Sequence, residues 1–132
     1  MYLRDDMDNL DLTNNCIEIK NSTNYGVFLG GIGTSSGNLD TSFSSGLRLS
    51  NNRIKVRGGP ALGFQAIEEN PAAQNNRNIF THNVLTTVSG DPTVRVGGGA
   101  GALWDHNTFY AGAADAQAVE YDNSPVTDQV EF

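Results

Sequence analysis

The sequence predicts an all-β fold built from stacked repeats, and two observations predict it. The first is an eight-residue block that occurs four times: LTNNCIEI at 12–19, LSNNRIKV at 49–56, FTHNVLTT at 80–87 and WDHNTFYA at 104–111. The second is the alternation of apolar residues in and around these blocks, as in Ile17/Ile19, Ile54/Val56 and Leu47/Leu49. A recurring block constrains architecture before any propensity argument begins. Alternation with period two marks strands, whereas helical repeats need apolar residues at i, i+3, i+4 and i+7.

Each block reads as strand, tight corner, strand. The invariant centre is an asparagine: Asn15, Asn52, Asn83 and Asn107. Three residues before it stands a large apolar side chain (Leu12, Leu49, Phe80, Trp104), and two residues after it another (Ile17, Ile54, Leu85, Phe109). These two sets are the expected core columns. The steps between asparagines shrink from 37 to 31 to 24 residues while the block keeps its length, so inserted loops absorb the difference. The asparagine is expected to supply the positive φ of the corner, which it tolerates better than most residues. Corners stacked at the strand spacing of about 4.8 Å bring the side-chain amides into a hydrogen-bonded ladder, which satisfies polar groups that burial would otherwise penalise.

A third strand follows each block: YGVFL (25–29), PALGF (60–64), PTVRV (92–96) and AVEY (118–121). Its inward positions are Val27/Leu29, Leu62/Phe64, Val94/Val96 and Val119/Tyr121. The outward positions between them are Phe28, Gly63, Arg95 and Glu120. Three strands per turn, coiled and stacked, predict a right-handed single-stranded parallel β-helix of about four to five coils with an asparagine ladder. Over roughly residues 9–121 the pattern resembles the repeats of pectate-lyase-like proteins, alginate lyases and epimerases, and phage tailspikes. That resemblance implies a groove on the outer face of the third-strand sheet in any polysaccharide-cleaving member.

The chain of 132 residues has room for one domain. Residues 1–8 are expected as an N-terminal cap, with Tyr2, Leu3 and Met7 covering the end. Residues 9–121 form the coils, and 122–132, including VTDQVEF, form a C-terminal cap or a tail that pairs with a partner. Open ends of a stack expose strand edges and core, so caps or partners are required. The growth of the columns to Trp104 and Phe109 suggests an aromatic plug at the C-terminal end. A homo-oligomer, a trimer by resemblance to viral β-helices, or a larger virion assembly is the expected partner state.

Charge narrows the partners. Eight Lys and Arg against fifteen Asp and Glu give a net charge of −7, which argues against nucleic-acid and anionic-membrane partners. No apolar run approaches the length of a membrane span. The opening MYLRDDMDNL lacks the hydrophobic stretch of a signal peptide. The single Cys16 is expected to point outward as an unremarkable thiol, and Asn21-Ser22-Thr23 is expected to match the glycosylation pattern by accident.

Two insertions, 30–45 and 67–78, are expected side by side on one flank. Ile32, Leu39 and Phe43 in the first either pack locally or meet a partner. Arg53, Lys55 and Arg57 alternate on one strand and point outward. They read either as an anionic-sugar contact or a lyase-type base with charge neutralisation, or as edge-protecting charge on a solvated face, balanced by Glu18 and Asp11. His82 and His106 share one corner position and are expected as turn residues, since two imidazoles with only Asp105 adjacent make a poor metal site.

Asp91, Arg95 and Glu120 lie on or beside the third-strand sheet. A lyase needs a cation to neutralise the uronate and a base to take the neighbouring proton; an inverting glycosidase needs separated carboxylates. The sequence has neither a dense Asp set nor a Gly-His-Gly tripeptide, and Glu68-Glu69 reads as a solvated loop pair. The expected function is therefore a non-enzymatic structural and binding β-helix, virion-associated as capsid decoration or a tail spike or fibre component, with a surface glycan as a further partner. The alternative is a carbohydrate-active β-helix (lyase, epimerase or hydrolase) or a fragment of one, using Arg95, Glu120, Lys55 and Arg57. No metal or cofactor is expected, except calcium in the lyase case. The expected location is the virion, or otherwise the secreted or cell-surface part of a longer chain.

Overall fold

The computed structural model describes residues 1–4, 9–20, 25–30, 46–66, 78–98 and 102–122. All regular structure among these residues is β. Thirteen strands run in chain order: β1 (Tyr2–Arg4), β2 (Asp11–Thr13), β3 (Cys16–Ile19), β4 (Val27–Gly30), β5 (Arg48–Ser50), β6 (Arg53–Val56), β7 (Leu62–Ala66), β8 (Ile79–Thr81), β9 (Val84–Thr87), β10 (Val94–Gly98), β11 (Leu103–Asp105), β12 (Thr108–Ala111) and β13 (Val119–Asp122). They form three sheets, ordered β1-β4-β7-β10-β13, β11-β8-β5-β2 and β12-β9-β6-β3. Every pairing is parallel. Each of the four repeats thus contributes one strand to each sheet.

The repeat is visible in the register. Leu12 pairs with Leu49, Leu49 with Phe80 and Phe80 with Trp104. Ile17, Ile54, Leu85 and Phe109 pair in the same way, as do Val27, Leu62, Val94 and Val119. Leu49, Phe80, Trp104, Ile54, Leu85, Val27, Leu62 and Val94 are buried in one core, against which Leu12, Ile17, Phe109 and Val119 are half-buried. In the last repeats Trp104 stacks on Phe80 with ring centroids 4.1 Å apart and meets Phe109 edge-on at 6.3 Å. Burying such side chains stabilises the stack by about 1.5–3 kcal/mol each.

The corner between the first two strands of each repeat is two residues long, and its two residues divide the tasks expected of the one asparagine. The positive φ belongs to the first residue: Asn14 (60°), Asn51 (56°), His82 (55°) and His106 (51°). The ladder asparagine comes second and does not adopt positive φ. Its task is hydrogen bonding alone. Asn15 donates from its backbone N–H (2.9 Å) and from Nδ2 (3.0 Å) to Asn52 Oδ1. Asn52 does the same to Asn83 Oδ1 (3.0 and 3.0 Å), and Asn83 to Asn107 Oδ1 (3.0 and 2.9 Å). The second Nδ2 hydrogen of Asn52, Asn83 and Asn107 goes back to the carbonyls of Leu12, Leu49 and Phe80, each at 2.7 Å. Main-chain bonds run through the same corners, from Arg53 N to Asn15 O and from Val84 N to Asn52 O at 2.8 Å each.

Tyr2–Arg4, within the segment expected as an N-terminal cap, form β1, which pairs with β4 from Tyr2↔Phe28 to Arg4↔Gly30 at the end of the sheet. The third strand of each repeat begins at Val27, Leu62, Val94 and Val119, later than expected. Residues such as Gly26 and Ala61 still belong to the corner, where their N–H groups donate to the Pro60 and Thr93 carbonyls of the next repeat and the Ala61 carbonyl accepts from the Val27 N–H of the preceding one. Gly26 is required there, since a Cβ would stand 2.5 Å from Val56 Cγ2 and 2.7 Å from the Ala61 carbonyl oxygen.

Candidate functional site

The outer face of the five-stranded sheet carries a polar recess of about 350 Å³, lined by Gly90, Asp91, Pro92, Arg95, Asp115, Gln117 and Glu120. Strand alternation builds its floor. Val94 and Val96 point into the core, so Arg95 between them must point out, and the parallel register sets Glu120 of β13 directly beside it. Arg95 Nε bonds Glu120 Oε2 at 2.7 Å. On the other side of Arg95 the register neighbour is Gly63 of β7, which has no side chain to stand in the row. Across that gap Arg95 Nη1 donates to Tyr25 Oη at 3.3 Å, two repeats away. The Tyr25 hydrogen bond, and after it the Glu120 hydrogen bond, hold the Arg95 guanidinium above its ordinary pKa. The cation is fixed between two partners.

Asp91 enters from the turn after β9 and is also engaged. Its Oδ2 accepts from Ser89 Oγ at 2.8 Å and from the Gly59 N–H at 3.1 Å. Behind them the buried Thr87 hydroxyl donates to the Gly59 carbonyl at 2.8 Å. This network ties the turn to the preceding repeat. Asp115, with φ of 65°, and Gln117 complete the rim from the turn between β12 and β13. The recess offers carboxylate and amide groups facing solvent, which suits hydroxyl-rich ligands.

Of the residues that a lyase reading would combine, Arg95 and Glu120 are brought together, while Lys55 and Arg57 are not. The latter stand on or just beyond β6, in a different sheet from β10. The expectation that Arg53, Lys55 and Arg57 protect a sheet edge is overturned, because β6 lies between β3 and β9 and has no open edge. Their expected counter-charges also differ. Asp11 lies on β2 beside Arg48, in another sheet, and Glu18, although it is the register neighbour of Lys55, approaches Lys20 at 3.9 Å. Cys16 is exposed, as its outward position predicts.

The two histidines stack with ring centroids 5.1 Å apart and planes 4° from parallel, and His106 Nδ1 lies 2.7 Å from Asp105 Oδ1. Among the described residues no group of three His, Cys, Asp or Glu side chains is placed to hold a metal ion. Ile32, Leu39, Phe43, Met7, Glu68, Glu69, the Asn21-Ser22-Thr23 triplet and VTDQVEF lie outside the described residues.

Tyr25, Ser89, Asp115 and Gln117 were not singled out from the sequence. They come from three separated segments with no shared motif, and the available signal was the gap at Gly63 between Phe28 and Arg95 in the outward row. No protein-family model, curated protein or solved structure matches the chain.

Proposed function

We propose that this chain is a right-handed parallel β-helix acting as a non-enzymatic structural and binding module of the virion-surface kind, a capsid decoration or a tail spike or fibre component. In this reading it assembles as a homotrimer and meets glycan hydroxyls at the recess. The observation that carries the non-enzymatic part is the engagement of Arg95. A lyase that neutralises the uronate carboxylate with an arginine must offer that cation free, and Arg95 is already paired with Glu120 and held by Tyr25. Four ladder asparagines also leave a stack too short for a long polymer groove, which supports a small unit that completes itself by assembly.

One observation favours a second reading. Asp91, Asp115 and Glu120 all line the recess, and carboxylates across a cavity are what a glycoside hydrolase uses. Incubation with alginate, pectate and capsular polysaccharides, with and without calcium, separates the two. The module reading expects neither unsaturated products nor new reducing ends, and turnover on any of them overturns it. Sedimentation expects a trimer; a folded monomer without partners counts against the assembly.

A further inference from the structure

Three of the chain's eight Lys and Arg residues fall within five positions of one another, at 53, 55 and 57. The structure leaves all three exposed on the outer face of the sheet β12-β9-β6-β3. Since β6 is an interior strand, their charge serves no edge. Among the described residues none of the three forms an ion pair, and the one nearby carboxylate, Glu18, approaches Lys20. Arg57, whose N–H bonds the Ile19 carbonyl, lies beside Lys20, whose charge Glu18 offsets. In a protein of net charge −7 this is a concentrated patch of the opposite sign.

The neighbouring strands present a different chemistry. β9 and the residue after it expose Val84 (41 %) and Val88 (47 %), and β12 exposes Tyr110 (62 %). Tyr110 shares a register row with Thr86 and Lys55, so it stands two strands, about 10 Å, from the cation. An exposed ring beside a row of cations offers a platform for the C–H face of a sugar next to sites for its acid groups. Alternate residues on a strand lie roughly 7 Å apart, so the three cations form a line for acid groups carried along an extended chain, while the protein's net charge of −7 disfavours the charge density of a nucleic acid.

We propose that this face binds an extended acidic polysaccharide, carboxylated or sulfated, with Arg53, Lys55 and Arg57 pairing its acid groups and Tyr110 stacking on a ring. The face lies on a different sheet from the recess, so its failure leaves the reading of the recess untouched. The test is calorimetric titration of the full chain with polygalacturonate at low salt. Binding is expected, weakening as salt rises, with no response to the fully methyl-esterified polymer. Combined substitution of Arg53→Gln, Lys55→Gln and Arg57→Gln is expected to weaken it by about tenfold or more, and Tyr110→Ala by several-fold. Amide-shift mapping on the unsubstituted protein should place the changes on β6, β9 and β12, which decides the matter even if the triple variant does not fold. Absence of binding at low salt overturns the proposal. So do shifts confined to the five-stranded sheet, or equally tight binding of single-stranded DNA or poly-glutamate.

Discussion

Asn83 Oδ1 accepts two hydrogen bonds from Asn52, one from its backbone N–H and one from its Nδ2, both at 3.0 Å. Asn83 is 1 % exposed and Asn52 2 %, so neither donor finds water if that oxygen is removed. Asn83→Ala therefore strands two buried donors of Asn52 and the Leu49 carbonyl, at roughly 1–3 kcal/mol for each unmet group. The expected loss is about 3 kcal/mol or more in urea unfolding. Asn15→Ala, at an exposed rung, is expected to cost about 1 kcal/mol or less; equal losses at the two positions would contradict the ladder as the source of stability.

Corner chemistry gives a second expectation. His82 has φ of 55°, a conformation that costs most residues roughly 1–2 kcal/mol and asparagine less. His82→Asn restores the residue type of the first two repeats and should leave the melting temperature within a few degrees of the parent. His82→Val adds β-branching at positive φ and should destabilise by about 2 kcal/mol or more. A valine variant as stable as the asparagine variant would remove the conformational argument.

Gly26 offers a steric test. Its missing Cβ leaves room for Val56 and for the Ala61 carbonyl oxygen, which would lie 2.7 Å from an added methyl. The carbonyl belongs to the next repeat and cannot rotate away. Gly26→Ala is expected to cost about 1–3 kcal/mol through overpacking, read as a lowered urea midpoint with an unchanged slope.

The Arg95–Glu120 pair is expected to matter little to stability. Both side chains keep substantial exposure, 39 % and 40 %, so solvent screens the pair and Arg95→Met should cost about 1 kcal/mol or less. The sign of its pH dependence follows from the raised pKa of Arg95. The stabilisation tied to that shift is fully present below the unfolded arginine pKa and is lost only as pH rises through the higher folded value. Between roughly pH 6 and 9, well below that range, the stability difference between the parent and Tyr25→Phe should be flat. A difference that changes steeply there would assign the effect to another group.

The ladder and its columns were legible because one register repeats four times, so each position is read against three copies of itself. The role of the asparagine was misplaced by one residue because the first two corners read Asn-Asn, and only His82 and His106 separate the positive-φ position from the bonding position. β1 escaped notice because three residues carry too little alternation to mark a strand. The recess was half legible. Arg95 and Glu120 follow from alternation, whereas Asp115 and Gln117 reach it, and Tyr25 reaches Arg95, from segments outside the strands whose direction no periodicity encodes.

Each rung of the ladder presents the same pair of donors upward and the same acceptor downward, whatever the length of chain between rungs. The intervals of 37, 31 and 24 residues are bridged by identical bonds. The number of repeats is therefore an adjustable length. A copy of residues 49–79 spliced in before Phe80 would meet a matching rung on either side, and the molecule could be lengthened as a ruler is, by whole divisions.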